Sequence, residues 1–205
     1  VYNRRVKNLA WREGMTRRLI VMGACAWLAL NSSMGFAQTA MDWKGLEEAW
    51  NQYYLSPSEE NAQKVLALLP SGGKILDIKD GFIALNAIND HLGVLEGEVY
   101  SGQANSVKLG FRLFTIAYGG FEVNLNKIMG NLIAFNPRMF LEELQAHRDL
   151  FPALEGLLGS YLRDTANDPT ARDLEQKLRI KALESVEDKA LKSMRNECIK
   201  ILKKL

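Results

Sequence analysis

Apolar residues recur along most of this chain at the three-and-four spacing of an α-helix. Two-residue alternation bounded by turn pairs, the mark of a strand, is almost absent. The spacing predicts a first helix from about Asp42 to Leu55, with Trp43, Leu46, Trp50 and Tyr53 on one face. Ser56-Pro57-Ser58-Glu59 predicts the next start, with a serine N-cap, proline at N1 and glutamate at N3. Ala62, Val65, Leu66 and Leu69 then form a buried stripe, closed by Pro70 to Gly73. From Ile75 to about Val99 the pattern fits one long helix or two shorter ones broken near Gly93.

Val107 to Tyr118 is apolar on nearly every side, as a central helix should be, and Gly119-Gly120 are expected to break it. Leu125, Ile128, Met129, Leu132 and Ile133 repeat the stripe, with Asn124, Lys127 and Asn131 facing outward. Asn136-Pro137 caps a helix that packs through Phe140, Leu141 and Leu144. Pro152 is expected to open another, carrying Leu154, Leu157, Leu158, Tyr161 and Leu162. Asp164 to Asn167 reads as a polar loop, and Asp168-Pro169 caps the helix beyond it. The last helix runs from about Glu187 to Lys204. The fold class expected is all-α: about eight or nine short helices in a right-handed α-solenoid-like array or an irregular helical bundle.

The helix–proline–helix rhythm from Asn105 to Arg163, with Asn136-Pro137 at one helix start and about 40 residues per unit, resembles HEAT-type repeats. Arrays of that kind generally act as protein-binding scaffolds, and the resemblance implies such a role here.

The first 37 residues belong apart from the rest. Met15-Thr16-Arg17-Arg18 is a short basic start, followed by the uncharged run Leu19 to Leu30 and then Gly35-Phe36-Ala37. That is the layout of a cleavable secretory signal peptide, with Ala37 and Gln38 flanking the cut. Twelve apolar residues make about 18 Å of helix, short against a hydrocarbon core of about 30 Å. A cleaved signal is therefore expected, with no stable transmembrane segment left after it. Residues 1–14, with four basic side chains ahead of Met15, suggest that translation starts at Met15. The expected address is periplasmic or secreted, by the general secretion route rather than the twin-arginine one. One domain, residues 38–205, should follow.

Charge changes once that segment is set aside. Residues 1–37 hold six of the 26 Lys/Arg and one of the 24 Asp/Glu, leaving 20 basic against 23 acidic residues. A mature chain of net −3 is a poor nucleic-acid binder by bulk charge, so no nucleic-acid partner is expected. Arg172 to Leu205, with ten Lys/Arg and six Asp/Glu, is a basic exception. Cys198 is then the sole cysteine and cannot close an internal disulfide. Leu191, Met194, Cys198, Ile201 and Leu205 share one helical face, which places the thiol in an apolar and unreactive setting.

Candidate chemistry is sparse. His91 and His147 are the only histidines, and Glu143 sits one turn before His147 on the same face. These three are the candidate metal or ligand residues, although the spacing is not the Glu-x-x-His of carboxylate-bridged centres. Exposed surface pairing is the competing reading. His147-Arg148-Asp149 lacks the glycine loop of a kinase, and Ser71-Gly72-Gly73-Lys74 lacks the first glycine of a phosphate loop. Asp77, Asp80 and Gly81 fail the calcium-loop pattern because Lys79 holds a ligand position. Trp43, Trp50 and Tyr54 form the candidate interaction surface, Tyr54 being the one expected to point outward; core packing is the alternative for such a face.

Three function classes follow. The first is an exported helical interaction or structural module without catalytic residues or cofactor, its partner a protein of the cell envelope. The second is an enzyme or ligand carrier with a dispersed site around Glu143 and His147. The third is a membrane-surface factor using the basic C-terminal helix, which requires an apolar stripe on that helix to be exposed.

Overall fold

In a computed structural model that describes residues 41–75, 77–161 and 167–205, the first helix opens where its cap residue predicts. The Asp42 carboxylate accepts the Gly45 N–H at 2.9 Å, and α1 runs Trp43–Leu55 with Leu46, Trp50 and Tyr53 buried. The signal peptide, its cut between Ala37 and Gln38 and the start at Met15 lie outside the described residues. Met41–Leu205 forms one compact unit.

Helix α2, Glu59–Leu68, is capped by Ser58 and not by Ser56: the Ser58 hydroxyl accepts the Asn61 N–H at 3.2 Å. Ser56 is already spoken for as the C-cap of α1, with its N–H on the Gln52 carbonyl. After a 3-10 turn at Lys79–Gly81 come α3, Phe82–Asp90, and α4, Leu92–Tyr100. The break falls at His91 rather than Gly93. A continuous helix would bond the His91 N–H to the Ala87 carbonyl; instead the His91 ring Nδ1 donates there at 2.9 Å, and the N–H turns to Ile88.

Helix α5, Ala104–Leu113, is shorter than its apolar run predicts. Thr115 donates its hydroxyl to the Arg112 carbonyl at 2.8 Å, and its own carbonyl accepts the Ile75 N–H at 2.7 Å. Those bonds replace the helical ladder, so Phe114, Ile116 and Ala117 reach the core from a turn. The glycine pair then begins the longest helix instead of ending one: α6 is Gly119–Phe135, and Gly119 has φ +54°, a conformation open to glycine. Asn136 caps α7, Pro137–Ala146, by accepting the Met139 N–H at 3.1 Å. Pro152 starts no helix; α8 is the four-residue Glu155–Leu158. Asp168 caps α9, Pro169–Glu184, through two backbone N–H groups, and α10 is Lys192–Leu202.

The described residues are thus all-helical and contain no strand. Every substantial contact joins helices no more than three places apart in chain order, giving a helical array. Within it α6 touches α3, α4, α5, α7, α8 and α9, more neighbours than any other helix has among the described residues. Its buried side runs through Leu125, Ile128, Met129, Leu132 and Ile133. No helix among the described residues is long and apolar enough to cross a membrane.

Gly130 sits where α6 meets α8. A Cβ there would lie 2.5 Å from the Leu157 carbonyl oxygen, an atom of the backbone that cannot rotate away. Gly130→Ala should therefore cost about 1–3 kcal/mol through overpacking. Urea unfolding measures it, and a midpoint equal to that of the unsubstituted chain would contradict the close approach.

Candidate functional site

The sequence candidates part company in three dimensions. His91 stands at the α3–α4 break, its ring centroid 4.0 Å from that of Tyr54. His147 closes α7, where Glu143 lies 3.6 Å away and Phe111 stacks parallel to its ring at 6.3 Å. The two histidines therefore belong to separate surroundings. Among the described residues no group of three or more His, Cys, Asp or Glu side chains is placed to hold a metal ion.

Glu143 and His147 remain a pair with unusual electrostatics. Each side chain is about one-sixth exposed, at 15% and 16%. Burial pushes the Glu143 carboxyl up, opposed by Lys108. Burial pushes the His147 imidazole down, and Arg112 and Lys108 add to the effect, against Asp149. Both shifts favour uncharged forms. At 3.6 Å the carboxyl and the imidazole stand beyond direct hydrogen-bond reach, so a proton would pass between them only through a bridging group.

The other sequence motifs serve the fold. Arg148 donates to Glu197 at 2.8 Å and to the Phe151 carbonyl, tying the end of α7 to α10. Lys74 bonds Glu122 at 2.7 Å and lies over the Tyr118 ring. In the aromatic face of α1, Trp50 is fully buried and packs on Tyr53, so it leaves the candidate interaction surface. It belongs to the continuous hydrophobic core. Trp43 is half-buried against the core, and Gly81 leaves room for its ring. Tyr54, at 37% exposure, does face solvent.

Asn131, expected to face outward, is buried, and the cause is an arginine with no sequence signal of its own. Arg179 lies in a charged stretch of α9, yet it is wholly inaccessible. Its guanidinium donates to the carbonyls of Leu158 at 2.9 Å and Ser160 at 2.7 Å, to Asn131 Oδ1 at 2.6 Å and to Glu175. Tyr161 covers it from a ring centroid 4.9 Å away. Asn131 passes the connection on, its Nδ2 donating to the Tyr100 hydroxyl at 3.1 Å. Tyr100 in turn stacks on Phe135 with centroids 4.5 Å apart and planes within 20°.

That chain of contacts ends at the surface. Phe135 is 60% exposed and walls an open groove of roughly 470 Å³, shared with Arg138 at the start of α7 and with Ser185 to Asp188 after α9. Arg138 spans it, bonding Glu142 at 2.8 Å and Asp188 at 3.3 Å. An aromatic side chain left largely in water forgoes a share of the ~1.5–3 kcal/mol that full burial would supply. Other large apolar side chains stand similarly exposed, notably Phe82 at 67% and Ile83 at 70%.

At the C-terminus, Leu191, Met194 and Cys198 are buried as their spacing predicts, but Leu202 replaces Ile201 in the seam and Leu205 is 48% exposed. The seam packs on α7, α8 and α9. Helix α10 accordingly has no free apolar stripe to offer a bilayer, and the exposed stripe that the membrane-surface reading requires is not found there. Burial pushes the Cys198 thiol up to about 12.

No protein-family model, curated protein or solved structure matches this chain.

Four outcomes test this geometry. Arg179→Leu should lose about 3–5 kcal/mol, because two backbone carbonyls and the Asn131 amide oxygen lose their buried donor. Denaturant unfolding reads that loss, and a change below about 1 kcal/mol would show the guanidinium to be dispensable. The His147 imidazole is held below its ordinary 6.5, so the unfolded chain takes up that proton first. Its share of stability is present above pH 6.5 and is lost as pH falls through the lowered folded value. His147→Gln should flatten unfolding free energy against pH on that side. Glu143→Gln should act in the opposite sense: a raised carboxyl stabilises the fold more as pH falls, and the amide removes that gain. Finally, Cys198 should resist a thiol reagent in the native chain and react on unfolding; prompt native labelling would contradict its burial.

Proposed function

We propose that this chain is an exported, all-helical protein-interaction module that works in the periplasm or outside the cell and meets a protein of the cell envelope. Export is supported by the basic start, the apolar run Leu19 to Leu30 and the small residues Gly35 and Ala37. Interaction is supported above all by Phe135, an aromatic residue 60% exposed that stacks on Tyr100 at the wall of an open groove. Behind Tyr100 stand Asn131 and the buried Arg179. An exposed aromatic beside a groove, stacked on a neighbouring ring, has the character of a binding anchor.

The test uses the full chain in cells of its native source. A photo-crosslinking residue replaces Glu187 on the groove, with and without Phe135→Ala. N-terminal sequencing of the recovered protein should begin at Gln38. One defined envelope protein should be captured, and its yield should fall about tenfold with Phe135→Ala, equivalent to ~1.4 kcal/mol of binding. Recovery in the cytosol with residues before Gln38 intact would overturn export. Capture indifferent to Phe135, or none, would overturn the groove as the contact.

A second reading rests on Glu143 and His147, whose 3.6 Å separation and opposed shifts suit a ligand or a proton-transfer step. A small molecule co-purifying with the native chain and lost in Glu143→Gln would favour it; its retention would exclude this pair as the site.

A further inference from the structure

We draw no further inference here: the strongest candidate, the open groove between the α6–α7 corner and residues 185–188, carries nothing further because its charges offset one another, Arg138 and the neighbouring Lys189 and Arg195 against Glu142, Glu187 and Asp188, and nothing in the structure shows what covers it.

Discussion

A guanidinium withdrawn from water constrains more of this fold than any other single group. Arg179 cannot lose its charge at any ordinary pH, so its burial is tolerable only if acceptors surround it. They come from separate pieces of chain: two carbonyls at the end of α8, the Asn131 amide on α6 and Glu175 one turn earlier on α9. Meeting that demand sets the position of α9 on α6 and brings the residues after α8 against both. Gly130 belongs to the same arrangement, since the backbone of Leu157 approaches where any side chain would stand. The short α8 buries Leu157 and Leu158, and the arginine supplies donors to the carbonyls of Leu158 at its end and Ser160 just beyond.

The consequences reach the surface through contacts that each have a reason. Asn131 can accept from Arg179 and donate to Tyr100 because its amide has both functions. Tyr100 then presents a ring face to Phe135, and stacking limits where that aromatic points. A side chain this exposed would ordinarily sample several rotamers. Here one face of the ring is covered by Tyr100, and the stacked pair forms part of the groove wall. The Glu143–His147 pair sits elsewhere, between α5 and α7, where partial burial and the cations of α5 act together. Its chemistry is separable from that of the groove, so the two functional readings stand or fall on different residues.

Much of the architecture was legible in the chain. The all-helical class followed from periodicity, and the starts at Asn136 and Asp168 followed from cap chemistry, which needs only a side-chain oxygen two or three residues before an N–H. Burial of Cys198 followed from its place in a seam of Leu191 and Met194. Where the reading missed, a local competition had been settled by a neighbour. His91 took the carbonyl its own helix would have used, Thr115 did the same at the end of α5, and Ser58 rather than Ser56 was free to cap α2. In each case the residue type permits both outcomes, and small differences in surrounding packing choose between them. Trp50 was ambiguous for another reason: a large amphipathic ring suits a core and a contact surface equally.

The sequence by itself determined the all-helical class and the main apolar stripe of most helices, because a period near 3.6 is a property of one segment, while several helix ends and single facings were left to the packing. It also set the layout of the N-terminal 37 residues as basic, apolar and small in turn. Only the tertiary structure decided that Arg179 and Asn131 face inward, that His91 and His147 stay apart, and that α10 has no apolar face to spare. These depend on which segments meet, and a charged residue such as Arg179 looks solvent-bound until distant carbonyls converge on it. Long-range meeting is set by the sum of many weak packing preferences, and no single stretch of chain records that sum.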